Sequence, residues 1–192
     1  MNKAVFLDRD GVLNRNVFYH DTGAYESPRT ASDLELHGEV LEALTALTAA
    51  GYQLFLVSNQ PNAAKGKSTL QQLHQVHGKL ESIFSASSIQ FRAYYYCFHH
   101  PHGTATDLNG PCACRKPSPF FLYKAVRDHA IDLSASWLVG DRSTDIACGA
   151  AAGVRTVRVL PDHPHKDVLG DLPAPTCLAK NLNEAARRIL SS

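Results

Sequence analysis

Residues 4–14 read AVFLDRDGVLN. Ala4, Val5, Phe6 and Leu7 are apolar without a break, too few for a helix and not alternating in polarity, so they predict a strand buried on both faces of a sheet. Sheets of that kind are parallel and covered by helices. The run stops at Asp8 and Asp10, two residues apart, so an extended path puts both carboxylates on one side. Gly11 then permits a sharp exit. Like charges this close repel unless one takes a proton or a cation sits between them. A solvated turn has the same composition, and the rest of the chain decides between the two readings.

The same pattern recurs along the chain. Gln53–Val57, Arg92–Tyr96, Trp137–Val139 and Thr156–Leu160 read as further strands, with a last one near Thr176–Ala179. Between them, Val40, Leu41, Leu44 and Leu47 recur at helical spacing up to Gly51, and Ser68 is placed to cap a helix carrying Leu70, Leu73, Val76, Leu80 and Ile83. Further helices are expected over about Pro119–Ala130, Thr144–Ala152 and from about Leu182. This order predicts an α/β fold, a doubly wound, mainly parallel sheet with helices on both faces. Loops at the carboxyl ends of its strands are then the place to look for ligands. The segment Pro161–Pro175 reads as an irregular surface excursion, with His163 and His165 solvated.

The chain has 192 residues, 44% hydrophobic and 19% charged, enough for one well-buried core, and a single domain over 1–192 is expected. A formal net charge of +1 gives no reason to expect a nucleic-acid or membrane-surface partner. The apolar run before Asp8 is too short for a signal-peptide core or a membrane span, so a cytoplasmic location is expected. Five cysteines, three of them close together, do not resemble a secreted disulfide framework and favour metal ligation.

Two other strand ends add to Asp8 and Asp10. LFLVSNQ (54–60) brings Ser58, Asn59 and Gln60, and WLVGDRSTD (137–145) brings Asp141 and Asp145, while Lys116 precedes the third helix. Three carboxylates around one cation, with a hydroxyl and an ammonium opposite, make a hard-oxygen site suited to Mg²⁺ and phosphate. In this order the four motifs resemble those of haloacid-dehalogenase (HAD) superfamily phosphatases, over nearly the whole chain. The resemblance implies that Asp8 attacks phosphorus and becomes a transient aspartyl phosphate, and that Asp10 serves as general acid and then base. It also implies Mg²⁺ held by the carboxylates of Asp8 and Asp141 and the backbone carbonyl of Asp10. Ser58 and Lys116 would hold the transferring oxygens, Asp145 would orient Lys116 or a water at the metal, and Arg142 would border the substrate together with Asn59 and Gln60.

Members of this superfamily often carry a cap domain, but 47 residues between Asp10 and Ser58 and 57 between Ser58 and Lys116 leave no room for a large one. An open site is expected, shaped by the loop Asn14–Pro28. There Asn16, Phe18, Tyr19 and His20 are placed to touch substrate, or else simply to pin the loop.

CFHHPHGTATDLNGPCACRKP (97–117) holds the clustered cysteines. Cys97-x-His99 and Cys112-x-Cys114 supply three thiolates and an imidazole, a closed tetrahedral set for structural Zn²⁺, with His100 and His102 as competitors for His99. Unbound reduced cysteines are the alternative. Together with Arg115-Lys116-Pro117, the loop resembles that of the zinc-bearing D-glycero-D-manno-heptose 1,7-bisphosphate 7-phosphatases, relatives of the histidinol-phosphate phosphatases. That resemblance implies a role for Lys116 on the transferring phosphoryl group and for Arg115 in substrate recognition, where a forked guanidinium suits a second phosphate. The segment SNQPNAAKGKS (58–68) departs from it, with Ser58 where threonine is usual and Pro61-Asn62 and Lys65-Gly66 where Ser-Gly and Arg-Gly are usual. The expectation is a monomeric, Mg²⁺-dependent phosphomonoester hydrolase acting on a small phosphorylated sugar and releasing the 7-phosphate of a heptose 1,7-bisphosphate. Histidinol-phosphate or another sugar or nucleotide phosphatase, and a non-catalytic zinc-stabilised module, are the alternatives.

Overall fold

A computed structural model describes residues 1–163 and 173–192. Its framework is a six-stranded sheet built from β1 (Ala4–Leu7), β4 (Gln53–Asn59), β5 (Phe91–Cys97), β6 (Trp137–Gly140), β7 (Arg155–Val159) and β8 (Cys177–Ala179), in the order β5-β4-β1-β6-β7-β8. Every neighbouring pair is parallel. The helices are α1 (Val40–Ala49), α2 (Leu70–Ala86), α3 (Phe120–His129), α4 (Ser143–Ala152) and α5 (Leu182–Leu190).

Strand alternation divides the core into two layers. Val5 and Leu7 of β1, Leu54 and Leu56 of β4, and Trp137 and Val139 of β6 join the apolar faces of α1, α2 and α5. Their neighbours Ala4, Phe6, Phe55, Val57 and Leu138 turn the other way, onto Leu122 and Ala125 of α3 and Cys148 of α4. Helices on both faces explain why β1 is apolar at every position. From β1 the chain winds outward to β4 and β5, then returns to the other side of β1 and continues through β6 to β8. The winding direction reverses at the carboxyl end of β1, where such sheets hold their ligands.

Three local expectations are corrected. The loop 14–28 contains a hairpin, β2 (Val17–Tyr19) antiparallel to β3 (Ala24–Glu26), closed where the amides of Thr22 and Gly23 both bond the Tyr19 carbonyl. Its glycine sits at φ 62°, a conformation that other residues adopt at a cost. The cap of α2 is Thr69 rather than Ser68, since both Ser68–Gln71 and Thr69–Gln72 fit a capping box and the second one forms, with Gln72 N donating to Thr69 Oγ1 at 3.1 Å and Thr69 N to Gln72 Oε1 at 2.8 Å. Ser68 donates instead to the Arg29 carbonyl at 3.1 Å. His163, expected to be solvated, stacks on Tyr25 with ring centroids 3.5 Å apart. His165 and the middle of the predicted excursion lie outside the described residues. Between β1 and α1 the chain adds only the hairpin and a 3₁₀ turn (Ala31–Asp33), and between β4 and β5 only α2, so neither stretch holds a large cap. Among the described residues no helix is long and apolar enough to cross a membrane.

Candidate active site

Asp8 follows β1 directly, and its amide bonds the Val139 carbonyl of β6 at 2.9 Å. That bond carries sheet geometry one residue past the strand. Lys116 Nζ lies 3.0 Å from Asp8 Oδ1 and 2.6 Å from Asp145 Oδ1, and it donates to the Val57 carbonyl at 2.6 Å. The lysine is 3% exposed, yet burial does not neutralise it, because Asp145 and Asp8 raise its pKa above the ordinary value. Burial likewise works against a charged Asp8, but Lys116, the Ser58 hydroxyl and the Arg9 amide outweigh it and hold the carboxyl below its usual range.

Asp141 and Asp145 lie where β6 passes into α4, and both are fully buried. Neither carboxylate oxygen of Asp141 has a hydrogen-bond partner among the described residues. Burial, then repulsion from Asp8 and Asp145, push its pKa well above the ordinary value. Ligand atoms of Asp8, Asp141 and Asp145 all fall within 4.8 Å of one another. A Cβ added to Gly11, whose φ is +80°, would sit 2.5 Å from Asp141 Oδ2, so this close turn requires glycine. An orphaned, buried carboxylate beside a second acidic oxygen fits a hard divalent cation such as Mg²⁺.

The zinc-type cluster also assembles. Cys97 ends β5, and its sulfur lies 3.5 Å from Cys112 Sγ, which is 3.7 Å from Cys114 Sγ. His99 Nδ1 is 4.0 Å from Cys97 Sγ and 3.9 Å from Cys114 Sγ. A tetrahedral zinc with its usual bond lengths sets sulfurs about 3.8 Å apart and sulfur from nitrogen about 3.6 Å. These four residues fit that ion, whereas His100 turns its Nδ1 to the His102 amide at 3.1 Å.

Other expected site residues fall differently. Asn59 and Gln60 were expected at the substrate, but both amides are turned inward. Asn59 clamps the Lys116 backbone, accepting from its N–H at 3.0 Å and donating to its carbonyl at 3.1 Å. Gln60, fully buried, donates to Asp10 Oδ2 at 2.5 Å and to Ser58 Oγ at 3.0 Å. Tyr19 likewise pins its own loop, with its hydroxyl donating to Asp33 at 2.8 Å and accepting the Arg29 amide at 2.9 Å, and its ring 3.9 Å from the Arg29 guanidinium. Asn16 lines a small cleft with Gly11, His37 and Asp141. Arg115 is half-buried and donates to the His99 carbonyl at 3.1 Å, tying it to the cysteine loop. Arg142 is exposed at the start of α4.

Sequence reasoning missed two participants. Lys65, exposed between β4 and α2, has its pKa lowered by desolvation of its ammonium and then by the charges of Lys67, Arg115 and Arg142. Arg9, only 1% exposed, forks onto Asp10. Its place between two acidic neighbours was the available signal, because a buried guanidinium needs a carboxylate within reach.

The HAD-hydrolase-like family profile matches residues 113–185. A D-glycero-beta-D-manno-heptose-1,7-bisphosphate 7-phosphatase of Salmonella typhi is 36% identical over 154 residues, 80% of this chain and 77% of that protein. One from Helicobacter pylori is 34% identical over 166 residues, 86% of this chain and 87% of its own. Among solved structures, the D,D-heptose 1,7-bisphosphate phosphatase of B. bronchiseptica, complexed with magnesium and phosphate, superposes with a TM-score of 0.80 at 27% identity, covering 98% of both chains.

Proposed function

Because this chain belongs to the HAD phosphatases that include the D-glycero-D-manno-heptose-1,7-bisphosphate 7-phosphatases, we propose that it removes the 7-phosphate from a heptose 1,7-bisphosphate during nucleotide-heptose synthesis. The observation that carries the reading is Asp8, held ionised 3.0 Å from the buried Lys116 ammonium and beside the Asp141 carboxylate, which has no hydrogen-bond partner among the described residues. Asp8 Oδ attacks the 7-phosphorus and the sugar oxygen leaves with a proton from Asp10. Asp10 then takes a proton from the water that attacks the aspartyl phosphate, releasing inorganic phosphate and restoring Asp8. Lys116 and Ser58 hold the phosphoryl oxygens, and Asp145 keeps Lys116 in place. Asp8, Asp141 and the Asp10 backbone carbonyl would hold Mg²⁺, which when bound offsets the repulsion between nucleophile and phosphate. Cys97, His99, Cys112 and Cys114 would hold a structural Zn²⁺.

The rim of Arg115, Lys65 and Arg142 supports a bisphosphate over a substrate with one phosphate. Charge-assisted hydrogen bonds contribute about 1.5–3 kcal/mol each, so the second phosphate is worth on the order of 10²-fold in kcat/KM. We place the activity in a cytoplasmic, single-domain monomer, where a reducing environment keeps the three thiols available to metal. A panel of both heptose 1,7-bisphosphate anomers and histidinol phosphate tests the assignment. The bisphosphates are expected to exceed histidinol phosphate by that factor, and equal or better turnover of histidinol phosphate would overturn it.

A further inference from the structure

Asp10 is held by more donors than a solvated carboxylate needs. Its Oδ1 accepts from Arg9 Nε at 3.1 Å, Arg9 Nη2 at 2.9 Å and Asn14 Nδ2 at 3.0 Å, while Oδ2 accepts from Gln60 Nε2 at 2.5 Å and Arg9 Nη2 at 3.3 Å. Arg9 and Gln60 are tied to each other as well, Nη2 donating to Gln60 Oε1 at 2.8 Å. Gln60 also bonds Ser58, whose hydroxyl helps hold the Asp8 carboxyl below its usual range. Arg9 and Gln60 are 1% and 0% exposed, and their polar atoms are turned to Asp10, Ser58 and each other.

The far side of the pair faces a cavity of about 180 Å³ lined by Leu73, His74, His77, Tyr94, Tyr96 and Phe98. Hydrogen bonds to Asp10, Ser58 and each other fix the planes of the guanidinium and the amide. An arginine buried this deeply is also costly unless its charge is met, and Asp10 meets it with a fork.

We propose that Arg9 and Gln60 are positioning residues that lock one rotamer of Asp10, so that its proton reaches the leaving sugar oxygen. The proposal rests on the reading of Asp10 as general acid. It predicts a dependence on leaving group that a merely structural role would not produce. A sugar alkoxide needs a proton as the ester bond breaks, whereas p-nitrophenolate leaves as a stable anion. kcat/KM reports the step that expels the leaving group, and general acid catalysis is worth about 10²–10⁴-fold there.

The test compares kcat/KM for a heptose 1,7-bisphosphate and for p-nitrophenyl phosphate in the parent, Gln60→Met and Arg9→Lys, each checked for an unchanged melting transition. Gln60→Met keeps the side-chain length without the amide, and Arg9→Lys keeps the charge without the fork. In both variants the bisphosphate is expected to lose on the order of 10²-fold, at least about tenfold more than p-nitrophenyl phosphate loses. Because the aspartyl phosphate is hydrolysed with help from the same carboxylate, a stoichiometric burst of p-nitrophenolate should accompany the loss. Equal losses on both substrates would overturn the proposal and leave the phosphatase reading intact. A parent inactive on both would overturn that reading, and this proposal with it.

Discussion

Asp8→Asn is expected to abolish turnover, with kcat/KM falling on the order of 10⁴-fold or more, while the protein still folds. An amide cannot replace the carboxylate as nucleophile, but it keeps the shape, and its oxygen can still accept the Arg9 amide that now bonds Asp8 at 2.8 Å. Lys116 keeps Asp145 at 2.6 Å and the Val57 carbonyl, so the buried ammonium is not stranded. Loss of the Asp8 charge also removes one of the repulsions that, after burial, hold the Asp141 carboxyl above its ordinary range. Steady-state kinetics with Mg²⁺ present, alongside a melting curve, checks both halves. Parent-like turnover in this variant would exclude attack by Asp8.

The second large effect concerns the proposed zinc, which would act through position rather than chemistry. Cys97 and His99 leave β5 while Cys112 and Cys114 lead into Arg115 and Lys116, so an ion held by these four residues would fasten both ends of the loop. The fastening reaches the site at three points: the Cys97 carbonyl accepts the Gln60 amide at 2.7 Å, Arg115 bonds His99, and Asn59 clamps Lys116. Chelation or Cys112→Ser is therefore expected to lower kcat/KM on the order of 10²-fold even at saturating Mg²⁺. The melting temperature should fall by about 10 °C, as expected when some 3–4 kcal/mol of stability is lost from a chain of this size. Elemental analysis of protein purified without chelator should find one zinc per chain. Absence of zinc there, or unchanged melting and turnover in the variant, would contradict the role.

The elements that sequence made legible are those whose side chains report their surroundings. Ala4-Val5-Phe6-Leu7 is apolar at every position because helices cover both faces of the sheet, and such runs alternating with helical patterns implied the parallel architecture. The acidic strand ends and the cysteine spacing were legible because charges and thiolates gathered in order have few other uses. The hairpin at 17–26 was not, because its strands are three residues each and half exposed, so no buried face imposes a period on Val17-Phe18-Tyr19. The choice between Ser68 and Thr69 was undecidable from a pattern that both satisfy. Asn59 and Gln60 were misdirected because an amide after a strand suits a ligand or a neighbour equally, and only the fold brings the Lys116 backbone to one and Asp10 to the other.

The proposed reaction turns on a covalent bond between Asp8 and the phosphoryl group. Acid-quenching the enzyme during turnover of a heptose 1,7-bisphosphate, reducing it with borohydride and sequencing its peptides by mass spectrometry tests that bond directly. An aspartyl phosphate is reduced to homoserine, which should be found at position 8 and at no other carboxylate. Homoserine at a different position, or none while phosphate is being released, would contradict the account.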